Sequence, residues 1–312
     1  MLAKVVVVVS KDRTFQSAHE LLEKKLVEQL ARRDDVVVIV APHLYDLTLE
    51  GPGSELLRAI PGDMIVLAWL YPRAVYWLLD AHRVRGRLGA TSSLPAEDLD
   101  EAASDSAQAL PDRTIWCFDL RRYGQPEPLV EEIDTILASA HRRWEVEAAL
   151  GADGRVRRIE EKPSARWYPV IDYGRCNHCL ECLNFCLFGV FSLQENRQLS
   201  VEEPDACRPG CPACSRICPQ GAIMFPQHDD PAIAGDPKAS RSAWKLDLSQ
   251  LFSGQSPAEL AAAERARALA EQQGAGEADT AAERQTERPD DARADRDELD
   301  QLVDRLDDLP LD

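Results

Sequence analysis

Eight of the nine cysteines in this chain fall between Cys176 and Cys218, in two runs. The first run is Cys176-Asn-His-Cys179-Leu-Glu-Cys182-Leu-Asn-Phe-Cys186. The second is Cys207-Arg-Pro-Gly-Cys211-Pro-Ala-Cys214-Ser-Arg-Ile-Cys218-Pro219. The spacings are C-x2-C-x2-C-x3-C and C-x3-C-x2-C-x3-C-P. Where thiols stay reduced, clustered cysteines mark a metal site more often than disulfides. Three thiolates two residues apart wrap one face of an iron–sulfur cubane, and the fourth of such a run serves a second cubane. The spacing therefore predicts a small module holding two [4Fe–4S] clusters. Two zinc sites of four thiolates each are the alternative. Zinc modules favour paired C-x2-C knuckles separated by longer loops, whereas here four cysteines follow in one run, twice.

An internal repeat with an offset of 32 joins the runs. Cys179 maps to Cys211, Cys182 to Cys214, Cys186 to Cys218 and Gly189 to Gly221. Only Cys176 and Cys207 break the register, which implies one extra residue in the second loop. At these residues the sequence resembles the bacterial dicluster ferredoxins, over about 60 residues from Tyr168 to Gln227. The resemblance implies an opening strand at Tyr168–Asp172. It implies a central hairpin from Phe191–Leu193 and Leu199–Val201, and a closing strand at Ala222–Pro226. It also implies ligand sets: Cys176, Cys179, Cys182 and Cys218 for one cluster, and Cys207, Cys211, Cys214 and Cys186 for the other. The sequence departs from the family pattern at Leu187, where a proline usually follows the cysteine, and at Arg208-Pro209-Gly210, where the extra residue falls. Neither departure removes a ligand. His178 lies between ligands and is expected at the surface, where its charge or hydrogen bonding would tune the potential. Ile171, Leu180, Phe185, Phe188, Val190, Ile217 and Ile223 are expected to form a low-dielectric shell. Electron transfer through such a module needs no catalytic residue.

Residues 1–145 alternate between strand and helix patterns. Lys4–Val9 and Val36–Val40 are continuous β-branched runs, as expected of parallel strands buried on both faces. Asp63–Trp69 and Thr114–Phe118 read as further strands. Helices are expected from Ser17 to about Arg33, with a capping box at Ser17-Ala-His-Glu20, and over Ser54–Ile60, Pro72–His82 and Pro126–Trp144. Arg85–Leu110 reads as a long loop. The fold class is an α/β domain with a parallel sheet, then a small α+β ferredoxin-like domain and a largely disordered acidic tail. The expected divisions are 1–145, a connection at 146–167, the cysteine module at 168–227 and the tail at 228–312.

No glycine-rich nucleotide-binding motif is present in the first domain. Ligands of open α/β sheets bind beyond the carboxyl ends of the strands. Those ends carry Lys11, Arg13, His43, Tyr45, Tyr71, Arg73, Arg121 and Arg122. Two readings follow for this rim: a site for an anionic ligand or acidic partner, or ordinary polar loops. The block also distantly resembles chelatase-type α/β domains, which insert metal into tetrapyrroles. That family has a histidine just after its first strand, and here the position reads Ser10-Lys11-Asp12-Arg13. His43 and His82 remain as fillers of surface or core. Cys117, in an apolar run, reads as a buried structural thiol.

The net charge of −18 disfavours nucleic acid and anionic membranes as partners. Residues 255–312 hold 17 acidic against 7 basic side chains, so −10 of that charge sits in the tail. Within the tail, Pro257–Gln273 has strong helix formers, and Asp295–Leu311 places Leu299, Leu302, Val303 and Leu306 at helical spacing, open to two readings: a solvated helix, or a segment that docks on a partner. The apolar run at Val5–Val9 is short for a signal-peptide core, and no stretch approaches the ~18 apolar residues of a membrane span. A cytoplasmic electron carrier with a fused recognition domain and a redox partner protein is the leading expectation. The alternatives are an enzyme whose α/β domain binds a substrate or tetrapyrrole and receives electrons, and an assembly subunit of a larger redox complex.

Overall fold

The computed structural model describes residues 4–14, 16–96, 111–140, 156–161, 164–194, 197–239, 259 and 261–266. Six strands are β1 (Val5–Ser10), β2 (Val36–Ala41), β3 (Met64–Ala68), β4 (Arg87–Gly89), β5 (Thr114–Asp119) and β6 (Val156–Arg158). They form one sheet in the order β4-β5-β3-β1-β2-β6, and every pairing is parallel. Four helices cover it: α1 (Ser17–Ala31), α2 (Pro52–Ala59), α3 (Pro72–Ala81) and α4 (Glu127–Ser139).

The valine run of β1 explains the layering. Val5, Val7 and Val9 face one layer, with Leu26 and Leu30 of α1 and Leu129, Ile133 and Leu137 of α4. Val6 and Val8 face the other, with Leu57 of α2 and Ala74, Val75 and Leu78 of α3. A strand buried on both faces cannot alternate with polar residues, hence the unbroken apolar run. Each fully buried leucine contributes roughly 1.5–3 kcal/mol through burial.

Several boundaries differ from the sequence expectation. The capping box does not form: Ser17 is already helical, and the cap is Gln16, without a side-chain bond. α2 begins two residues early, at Pro52, whose fixed φ suits a first turn. Strand β4 lies in the expected long loop, and β6 lies in the expected connection. Both are three-residue edge strands whose pairing partner, not their composition, fixes them. Residues 97–110 and 141–155 lie outside the described set, as does the tail except for 228–239, 259 and 261–266. Its candidate helix at 295–311 is among the undescribed residues. No described helix is long and apolar enough to cross a membrane.

The cysteine module is α+β. β7 (Val170–Ile171) pairs antiparallel with β10 (Ile223–Met224), and β8 (Phe191–Leu193) with β9 (Leu199–Val201). Short helices α5 (Glu181–Phe185) and α6 (Ala213–Ile217) carry the middle of each cysteine run. A further helix, α7 (Pro231–Ala234), is capped by the Asp230 carboxylate accepting from the Ala232 N–H at 3.0 Å. It folds back so that Phe225 N–H donates to the Ile233 carbonyl at 2.8 Å.

The module and the α/β domain share one core, in which Leu78 and Val75 of α3 join Tyr168, Ile171 and Ile223. A buried ion pair fixes the seam. Arg73 Nε of α3 donates to Asp172 Oδ2 at 2.5 Å, and its Nη2 donates to the Gly221 carbonyl at 2.8 Å. Trp77 meets Tyr173 edge-on, with ring centroids 5.8 Å apart. Gly235, with φ of +101°, leaves no room for a side chain, because a Cβ there would lie 3.0 Å from that of Ala74.

Candidate metal centre

The repeat is visible in the backbone as well as the sequence. His178 and its counterpart Gly210 both have positive φ, +55° and +78°. So do Gly189 and Gly221, at +67° and +57°. Each pair turns the chain at the same point of its half. The extra residue falls before Gly210, in a turn closed by the Cys211 N–H donating to the Arg208 carbonyl at 3.1 Å. A left-handed position is cheap for glycine and costs other residues about 1–2 kcal/mol. His178 sits there without a glycine, its Nδ1 within 3.9 Å of Cys176 Sγ.

Two groups of four cysteines feel one another's charge. Burial raises the Cys182 thiol to about 12, and Cys218, Cys176 and Cys179 push in the same direction. Cys176 is raised by burial and then by Cys218 and Cys179. In the second group, burial raises Cys207, with Cys211 and Cys186 adding to it. Burial lifts Cys214 well above the ordinary thiol range, followed by Cys207, Cys186 and Cys211, with Cys182 of the first group a smaller contributor. Cys218 is thus among the groups acting on Cys182, and Cys186 among those acting on Cys207 and Cys214. Thiols held protonated in this way must release protons when metal binds.

The donor set fits iron–sulfur clusters: eight thiols, of which only Cys179 is exposed. Ile171, Val190 and Ile223 of the expected shell are buried, Leu180 and Phe188 pack against the core, and Phe185 flanks Cys211. The Ala222 N–H lies 3.3 Å from Cys218 Sγ, as a donor to sulfur. Among the described residues no three His, Cys, Asp or Glu side chains close on a point that one ion would occupy.

Three contacts with the module are not expected from the sequence, although Arg73 belongs to the expected rim and residues 261–266 fall within the expected helical stretch Pro257–Gln273. Trp167 Nε1 donates to the Cys211 carbonyl at 3.2 Å. Arg73 reaches the loop between Cys218 and β10. A helical segment at 261–266 covers the second group: Ala261 is fully buried against Cys211 and Ala213, and Arg265 Nη1 donates to the Phe185 carbonyl at 3.0 Å. Its guanidinium lies over the Phe185 ring, 4.1 Å from the centroid. No spacing rule links these residues to the cysteines.

The rim of the α/β domain is largely taken up by the chain itself. Tyr45 stacks on Tyr168 at 4.4 Å, and its hydroxyl bonds the Tyr168 backbone. Arg13 pairs with Asp46 and donates to the Arg166 carbonyl. Arg73 is committed to Asp172. Arg121 pairs with Asp119 at 2.7 Å and lies over the Tyr71 ring, while Arg122 donates to the Ser92 carbonyl. His82 is buried, with Nδ1 2.8 Å from Ser54 Oγ, and burial lowers it to about 4. Cys117 is fully buried, and burial raises its thiol.

Two curated relatives match the cysteine region. A protein named as an uncharacterized ferredoxin, from Methanocaldococcus jannaschii, is 40% identical over 73 residues, 23% of this chain and 49% of the relative. A ferredoxin from Methanothermococcus thermolithotrophicus is 36% identical over 55 residues, 17% of this chain and 88% of the relative. The chain thus spans about half the length of the first relative and most of the second. No family model and no solved structure matches the chain.

Proposed function

The chain belongs, through its cysteine region, to the ferredoxin family, and from that premise we propose that it is an electron carrier with two [4Fe–4S] clusters. Each cluster, when bound, takes up and gives back one electron. Cys176, Cys179, Cys182 and Cys218 would hold the first, and Cys207, Cys211, Cys214 and Cys186 the second. The observation that carries this reading is the pair of four-cysteine runs, repeated at an offset of 32 residues, in the region that ferredoxins match. The Ala222 N–H stabilises negative charge on Cys218 sulfur. The apolar shell excludes water and lowers the local dielectric around the thiolates.

The proposed port for a redox partner protein is the edge at Cys179, the one exposed ligand. The second group, by contrast, is covered at Cys211 by residues 261–266. Reduced thiols fit a cytoplasmic setting.

The test is anaerobic purification, iron and acid-labile sulfide per chain, and EPR after dithionite reduction. About eight iron and eight sulfide, with signals of interacting reduced cubanes, are the expected result. Zinc without sulfide would replace the carrier with a zinc-stapled binding protein.

A further inference from the structure

A cleft of about 540 Å³ opens at the carboxyl ends of β1 and β2, between Lys11–Arg13, Pro42–Asp46 and the stretch after β6. A second hollow of about 350 Å³ adjoins it, sharing Lys11, Asp12, Val40 and Arg158. The volume suits a small molecule, and open parallel sheets bind ligands at this end of their strands. The cysteine module, although it covers much of the rim, leaves this part open.

The charges in the cleft sort into committed and uncommitted groups. Asp46 is neutralised by Arg13 and also accepts from the Arg166 N–H. Glu161 accepts from the Thr48 and Gly53 N–H groups at 3.1 Å. Asp12 is engaged by Thr14 and His19. Glu160 stands exposed at the edge. Lys11 and Arg158 also stand exposed, and among the described residues their side chains have no ion-pair partner.

His43 supplies an independent observation. Its side chain is 3% exposed and it lines the cleft. The Gln227 amide nitrogen lies 3.0 Å from Nε2. With that amide so oriented, Nε2 is the acceptor and the ring proton sits on Nδ1. Nδ1 has no hydrogen-bond partner among the described residues, and Asp46 Oδ2 is 4.0 Å from it, beyond bonding distance. A buried donor without an acceptor is costly, and a ligand oxygen would relieve it.

We propose that this cleft binds a small multiply charged oxyanion, a phosphate or polycarboxylate, between Lys11, Arg158 and the His43 Nδ1–H. Two cations meet the charge, and the neutral imidazole donates to one oxygen. The site is separate from the cysteine groups, and the inference stands whether or not the redox reading holds.

The experiment is isothermal titration of the full-length, metal-loaded protein at low ionic strength, with citrate in one arm and inorganic phosphate in the other. Saturable one-site heat in either arm is expected, and the responding arm tells carboxylate from phosphate. The double variant Lys11→Ala/Arg158→Ala alters exposed side chains only, and an unchanged melting temperature verifies its fold. It should weaken binding by about tenfold or more, since charge-assisted bonds are lost. The Lys11→Arg/Arg158→Lys variant should retain it. Absence of saturable heat in both arms would overturn the proposal, as would unchanged affinity in the alanine variant.

Discussion

In the proposed ligand sets each cysteine run lends its last member to the other, so the two groups would interlock. Cys186→Ser should therefore damage the cluster of the second run although it lies in the first. We expect about four of the eight iron atoms to be lost, with the same EPR component disappearing as in Cys214→Ser. If Cys186→Ser instead behaved like Cys179→Ser, the crossed assignment would be wrong. His43 and His82 set a second expectation. Burial lowers both to about 4, from 6.5. Below pH 6.5 the unfolded chain takes up protons that the folded chain refuses, so their contribution is whole above about 6.5 and lost as pH falls toward 4. The loss is roughly 3 kcal/mol each at the low end. Denaturant midpoints measured from pH 7 to 4 should fall, and His82→Gln should flatten that fall. The candidate ligands can be picked out from the sequence because spacing along the chain governs which thiols could meet a cubane. The partners of His43 cannot, since Gln227 lies 184 residues away.

At the scale of elements, α3 is the part of the α/β domain that grips the module. Arg73 and Asp172 are both buried, with side chains 5% and 2% exposed. Removing one partner strands the other charge. Arg73→Met should thus cost about 3–5 kcal/mol of stability, and Arg73→Met/Asp172→Leu should recover much of it. Urea unfolding of the three proteins measures this, and equal losses in the single and double variants would refute the account. The central strands were readable because burial on both faces demands an unbroken apolar run, as in Val36–Val40. β4 and β6 were not, because Arg-Leu-Gly and Val-Arg-Arg gain strand character only from the neighbours they pair with. The basic rim was readable as a set of loops, but not what covers it. Arg13, Tyr45 and Arg73 point at Arg166, Tyr168 and Asp172, and such distant contacts leave no periodic trace.

For the whole molecule, the shared core predicts that the two parts do not come apart cleanly. Residues 1–145 expressed alone would expose the α3 face that meets Tyr168, Ile171 and Ile223. Such an apolar patch promotes aggregation. We expect a poorly soluble fragment, and a single cooperative unfolding transition in the full chain when fluorescence and cluster absorbance are followed together. Two separated transitions would show independent folding. The helical segment at 261–266 also gives the protein a calendar. It leaves the ribosome after all the cysteines and then closes over Cys211. On the proposed two-cluster reading, iron and sulfide would thus have freest entry to the second group before this segment is made, and repair of that group in the finished chain would have to take place beneath it.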